Sequence, residues 1–294
     1  MRKIASAHFT NLLNDWGFKR YFGEERNKKY LIHFLNEILK GKESVREVYY
    51  RPTEHLGKTE EDRKAVFDVY CSTKKGDLIL IEMQNMRQTY FKDRSLYYST
   101  FIIQSQAVKG KWNYRLKSVY VIGLLGFRMK AAKKSGRNEK YITRVCLIDR
   151  DTGELFYDKL NFVYVELAKF KKTANELNSA QDFWLYTLKH SRMLKEQPEE
   201  IKGEIFTELY NEMELKNLTS TEMESYRVSE YKYEDFYNFT DYAEKKGVKK
   251  GRREGRKEGK KEVAEKLLTM GMLVDDISKA TGLSIVEIHA LKEK

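Results

Sequence analysis

Proline and cysteine are scarce in this chain, with two of each in 294 residues. Cys71 and Cys146 both fall in apolar, strand-like runs. They read as buried free thiols of a reducing compartment, and not as a disulfide or a zinc site. The five histidines, at 8, 33, 55, 190 and 289, are scattered without metal-ligand spacing. No glycine-rich phosphate loop is present, because the glycines between 247 and 259 lack a preceding strand. A cysteine or serine triad has no local support. Long apolar runs are also missing: the longest, Val119 to Phe127, is far short of a membrane span. The opening Met-Arg-Lys-Ile-Ala-Ser-Ala-His has no apolar stretch suited to a secretory signal. A cytoplasmic protein with no membrane partner is expected.

What is abundant is positive charge. The net charge is +12, with 41% hydrophobic residues, which favours an anionic partner such as nucleic acid or an acidic membrane surface. The alternative is a basic, solvated surface. Between Lys245 and Lys261, ten Lys or Arg stand against Glu254 and Glu258, so this stretch carries +8 of the +12. Glycines recur inside it at 247, 251, 255 and 259. Each costs a helix about 1 kcal/mol against alanine, so a flexible tether or a marginal solvated helix is expected. Lys249, Lys250, Arg252, Arg253 and Arg256 are its candidate nucleic-acid contacts.

The chain is organised around Ala65 to Gln84. Two apolar runs flank Ser72-Thr73-Lys74-Lys75-Gly76-Asp77, the pattern of a β-hairpin. Each run holds a carboxylate where a core residue belongs: Asp68 in the first and Glu82 in the second. An unpartnered buried carboxylate costs several kcal/mol, so such groups are neutralised or used. Neighbouring strands lie about 5 Å apart, close enough for both acids to meet one cation. Strand alternation puts Gln84 on the face of Glu82 and turns Met83 away. An Asp followed by Glu-x-Gln on the next strand therefore looks like a Mg²⁺ site. The competing reading for Asp68 is a carboxylate satisfied by backbone or by Lys64.

Around this hairpin the periodicity predicts a short docking helix in residues 1–16. An amphipathic helix follows from Phe18 to Leu39, interrupted near Gly23 and ended by Gly41. A strand is expected over 45–51, a loop over 52–64, a helix from Arg87 to Val108 and a buried strand over 117–127. A second hairpin follows, 141–150 with 154–167. Two helices separated by Pro198 fill 175–216, and the polar, aromatic stretch 217–242 has helical potential. Val263 to Met270, Val274 to Ala280 and Ser284 to Leu291 form three short periodic segments with Ser284 as an N-cap. They look like a small helix-turn-helix unit, or a plain helical oligomerisation cap.

The order helix, Asp68 strand, Glu82-Met83-Gln84 strand and basic helix resembles the PD-(D/E)xK nucleases. It is most similar to their recombination-promoting nuclease and transposase branch. "FKRYFGEERNKKYLIHFLNEIL", "FDVYCSTKKGDLILIEMQN" and "RSLYYS" carry the likeness. The resemblance implies an α/β fold: a restriction-endonuclease-like αβββαβ core with a mixed sheet, then a hairpin, a helical region, a basic tether and an HTH-like module. The expected division is 1–170 for the core with its hairpin, 171–242 helical, 243–262 tether and 263–294 module. It also implies a Mg²⁺-dependent DNA endonuclease, with Mn²⁺ able to substitute, that promotes recombination. Asp68 and Glu82 are then the metal ligands, completed by the Met83 carbonyl. Gln84 stands where the family usually has a lysine, and this branch commonly shows glutamine there; an amide positions a water without adding charge. Glu25 is an auxiliary acid by the same resemblance, or a surface carboxylate. Arg87 and Lys92, with Arg94, are candidate DNA contacts, although Arg94 also suits an ion pair. A homodimer would suit double-strand cutting, and nucleoid association would follow if the source is bacterial. Gln84 leaves open a different class, a non-catalytic DNA-binding or assembly protein on a degenerate core.

Overall fold

A computed structural model describes residues 7–40, 44–55, 65–129 and 139–292. The chain forms two compact units, Met1–Tyr231 and Lys232–Lys294.

In the first unit the predicted helix is divided as its Gly23 suggests, into α1 (Asp15–Phe22) and α2 (Lys28–Leu39) joined by one 3₁₀ turn. Asn14 caps α1 by accepting from the Gly17 N–H at 2.6 Å. The C-cap of α2 is Lys40, held at a φ of +45°; Gly41, expected to end the helix, lies outside the described residues. The expected docking helix is not found among the described residues before α1. Phe9, Leu12 and Leu13 are buried there in irregular backbone, where apolar spacing gives burial but no helix.

The strands are β1 (Val48–Tyr50), β2 (Glu54–His55), β3 (Ala65–Val66), β4 (Val69–Thr73), β5 (Leu78–Gln84), β6 (Val119–Leu125), β7 (Ile142–Ile148) and β8 (Leu155–Glu166). Six of them make a mixed sheet in the order β1-β4-β5-β6-β8-β7, with β2 and β3 paired apart from it. The β4–β5 hairpin is antiparallel, and both β5–β6 and β6–β8 are parallel. The continuous burial of Leu78–Ile81 follows, because β5 lies between two strands and under helices. Helix α3 (Phe91–Gln104) makes the crossover between the parallel strands β5 and β6. It starts later than predicted, leaving Arg87 in the segment that leads to it.

Phe91 and Ile102 of α3 pack on Val121, Phe162 and Tyr164 of the sheet. A second, aromatic core joins Phe22, Phe34, Trp184 and Phe206 from α1, α2, α4 (Ala180–His190) and α5 (Glu204–Met213). Cys71 is buried as expected, but Cys146 is exposed. The correction is one of position: β7 ends the sheet, and its outer half has nothing packed on it among the described residues.

Helix α6 (Ser220–Thr269) includes the basic stretch. Strong helix formers and i,i+4 pairs, Lys245–Asp241 at 2.6 Å and Lys250–Glu254 at 3.8 Å, accompany the glycines there. Within the second unit, its end packs with α7 (Val274–Thr281) and α8 (Ile285–Lys292) around Ala264, Ile277, Leu283 and Ile288. Ser284 and Glu287 form the reciprocal cap of α8: Ser284 Oγ accepts from the Glu287 N–H, and Glu287 Oε2 from the Ser284 N–H.

Candidate active site

Asp68 sits at a bend between β3 and β4, not inside the strand. Pairing of Val69 with Ile81 brings Asp68 and Glu82, the next residue on each side, to one end of the ladder. The Met83 N–H donates to Asp68 Oδ2 at 2.8 Å. Thus β5 holds the first acid by its backbone and carries the second as a side chain.

Glu82 is 2% exposed. Its Oε2 accepts from Arg94 Nη2 at 2.7 Å, while Oε1 is buried without a hydrogen-bond partner. Arg94 reaches Glu82 because α3 is fastened directly above this part of the sheet. Glu82 pairs with Gly123 of β6, where a Cβ would fall 2.9 Å from Phe91 Cε1 and 3.2 Å from Tyr164 Cδ1. The missing side chain admits the Phe91 ring, and the Ser95 hydroxyl is 2.7 Å from the Tyr164 hydroxyl. One turn beyond Phe91, the guanidinium is directed at the carboxylate. It also donates to Gln88 Oε1 at 3.1 Å and lies over the Tyr98 ring at 4.9 Å. The Gln84 amide sits between two donors. Its oxygen accepts from Gln88 Nε2 at 2.8 Å in one orientation and, turned over, from Arg94 Nη1 and Nη2 at 3.2 and 3.3 Å.

Electrostatics match this enclosure. Burial raises the pKa of Asp68, an effect eased by the Met83 N–H and by the charge of Lys19. Burial, followed by the neighbouring Asp68 charge, pushes Glu82 up to about 8 against the pull of Arg94. Two raised carboxylates and one orphaned oxygen make a site that gains from a cation. No group of three or more His, Cys, Asp or Glu with metal-binding placement occurs among the described residues. A pair of carboxylates still fits Mg²⁺, which usually keeps several waters.

The other candidates are distributed as follows. Glu25 is exposed and paired with Lys28 at 2.5 Å, outside the Glu82–Arg94 network. Arg87 and Lys92 are exposed before and at the start of α3. Lys249, Lys250, Arg252, Arg253 and Arg256 are exposed on α6. All but Lys250 line a groove of about 1130 Å³ in the second unit, reaching Gly282 and Leu283. A cleft of about 990 Å³ is walled by Val66, Gln88, Thr89, Tyr90, Asp93, Arg94, Tyr97 and Tyr98; neither acid lines it, and Arg94 and Gln88 are what it shares with the network around Glu82. Sequence reasoning missed Gln88 and the α1 pair Asp15–Lys19, bonded at 2.8 Å, whose charges act on Asp68. Their i,i+4 spacing was visible, but only the fold brings α1 to the hairpin.

A model of the PD-(D/E)XK nuclease family transposases matches residues 12–243. No curated protein and no solved structure matches the chain.

Proposed function

The chain belongs to the PD-(D/E)XK nuclease family transposases, and on that premise we propose that it is a Mg²⁺-dependent DNA endonuclease acting in recombination or transposition. Asp68 and Glu82 would hold the cation, with Mn²⁺ able to replace Mg²⁺ and the Met83 carbonyl completing the protein's share. Bound there, a divalent ion supplies an activated water and neutralises charge developing on the phosphoryl group. The chain's own residues set the geometry. Met83 N–H fixes one oxygen of Asp68, and Arg94 fixes one oxygen of Glu82, leaving Oε1 for the ion. Gln84 orients the attacking water through its amide and adds no charge. Arg87 and Lys92 at the start of α3, together with the basic face of α6, engage the phosphate backbone. Glu25, exposed and paired with Lys28, would serve as an auxiliary acid only by leaving that pair.

The observation that carries the reading is the pairing of half-buried Asp68 with buried Glu82, whose one oxygen is orphaned and whose other is held by an Arg94 that also lines an open cleft. Plasmid nicking tests it. Cleavage is expected with Mg²⁺ or Mn²⁺ and not with EDTA, and Asp68→Asn and Glu82→Gln should each reduce it to the EDTA background. Cleavage that survives both substitutions would overturn the site. One observation favours a second reading, a DNA-binding protein that does not cut: Gln84 and Arg94 flank Glu82, and no lysine bonds either acid among the described residues, Lys64 lying outside them. Binding with steep salt dependence, and no cleavage under either metal, would select it.

A further inference from the structure

We propose that the loop between α3 and β6 holds an unpaired nucleic-acid strand by stacking its bases on Tyr114 and Trp112. Gln106 closes the neck of this loop twice. Its Oε1 accepts from the Lys117 N–H at 2.7 Å, and its Nε2 donates to the Lys117 carbonyl at 3.4 Å. Lys117 Nζ donates to the Lys75 carbonyl at 2.9 Å and Lys159 Nζ to the Leu116 carbonyl at 3.2 Å, which fastens the loop to the β4–β5 turn and to β8. Beyond the neck, the Trp112 and Tyr114 rings lie together with centroids 4.9 Å apart. Trp112 is half-buried and Tyr114 is 78% exposed. Tyr114 is held at a φ of +57°, and the Arg115 N–H donates to Asn113 Oδ1 at 3.1 Å. Lys40, the other non-glycine residue with positive φ among the described residues, closes a helix. Tyr114 closes none, so its strained backbone is left to present the ring.

Charge and ring exposure select the occupant. The sequence has no Asp or Glu between Arg94 and Asn138. The loop carries Lys109, Lys111, Arg115 and Lys117, and the segments it bonds add Lys74, Lys75 and Lys159 against Asp77 and Asp158. Lys117 and Lys159 are committed to carbonyls, but Lys109, Lys111 and Arg115 are exposed and have no ion pair among the described residues. Three such cations suit phosphates, and an exposed aromatic face suits a base whose own face is free. Bases inside a duplex are stacked on one another and cannot use Tyr114. A membrane surface would need several apolar side chains to insert, whereas Trp112 and Leu116 are half-buried, leaving Tyr114 and Val108.

The loop stands apart from the acids. In the β5–β6 ladder Leu78 pairs with Val119 at the loop end, and Glu82 with Gly123 nearer the other. Arg94 is near the start of α3 and the loop follows its end at Gln104, about 15 Å further along the helix. The inference rests on the reading of the chain as a nucleic-acid binder and not on its cutting, so its test is run in EDTA and reads binding.

Fluorescence anisotropy of the full chain with labelled oligothymidylate and oligouridylate, each about twenty nucleotides long, measures the affinity. Tyr114→Ala should weaken binding of the strand about 5- to 100-fold, and Tyr114→Phe, which keeps the ring, should restore it. A DNA duplex of equal length should bind both variants as it binds the unaltered chain. Lys109→Gln with Lys111→Gln should lower the slope of log K against log salt by about 0.7 for each lost contact. The strand bound more tightly, and weakened by Tyr114→Ala, names DNA or RNA as the source. Unchanged affinity for both strands in Tyr114→Ala would overturn the proposal. So would an equal loss for strands and duplex, or a Tyr114-dependent binding to phosphatidylserine vesicles in place of either strand. A chain that behaves here as expected and never nicks a plasmid would sink the endonuclease reading alone.

Discussion

Glu82 links the site to pH. Its pKa is raised to about 8 in the folded chain, whereas in the unfolded chain it returns to the ordinary carboxylate range. The folded state therefore binds a proton that the unfolded state has released at any pH between those values. The contribution of Glu82 to the stability of the metal-free protein is fullest below its unfolded value, falls as pH rises toward 8, and levels off above it. The apparent melting temperature in EDTA should be higher at pH 6 than at pH 8, and Glu82→Gln should flatten the difference. Binding a cation expels the same proton, so Mg²⁺ affinity, read by calorimetry, should increase over the same interval. Arg94→Ala removes the group that orients Glu82 and should lower metal affinity or cleavage about 10- to 100-fold. Gln84→Lys restores the commoner residue of the family but brings a second cation to a position already within 3.3 Å of Arg94 after amide rotation. No gain in cleavage rate is expected from it.

Secondary-structure elements, more than single residues, decide whether these groups meet. Gly123 is the example, because its Cβ would strike Phe91, whose helix carries Arg94. Gly123→Ala should cost about 1–3 kcal/mol through overpacking, measured as a lower urea midpoint, and should weaken the Arg94–Glu82 contact with it. Glycines 247, 251, 255 and 259 behave in the opposite way. A Cβ at any of them meets nothing within 4 Å, so alanine should strengthen the helix by about 1 kcal/mol per site. The helical ellipticity should then persist to higher temperature. Much of this architecture was legible beforehand: the αβββαβ order, the hairpin turn at Gly76 and the capping of α8 by Ser284 all follow from local pattern. What was not legible depended on tertiary neighbours. The β8 pattern did not reveal that it pairs with β6 on its other side, and this places β7 at the edge and exposes Cys146. Asp68 and Glu82 were readable as misplaced charges in apolar runs. Gln88, Asp15 and Lys19 were not, because nothing near them in sequence places them beside the hairpin acids.

At the scale of the molecule, charge is unevenly divided, with +8 of the net +12 held between Lys245 and Lys261. If this stretch engages phosphates, replacing Arg252, Arg253 and Arg256 by Gln should reduce the slope of log K against log salt by about 0.9 for each lost contact. Cleavage per bound complex should be unchanged, since none of the three bonds to Asp68, Glu82, Gln84 or Arg94 among the described residues. Fluorescence anisotropy over a salt series provides the slope. Unaltered slope with all three replaced would assign the charge to solubility instead.

The early chain is fastened to a much later segment: the Thr10 N–H donates to the Met213 carbonyl at 2.8 Å, and the Leu215 N–H to the His8 carbonyl at 2.9 Å. The Asn85 side chain, just past Gln84, in turn donates to the Leu13 carbonyl. During synthesis the hairpin acids leave the ribosome well before residue 215 exists to close this clasp. A growing chain therefore carries its acidic pair before the residues that complete this clasp are made, so the order of synthesis differs from the order in which the folded contacts close.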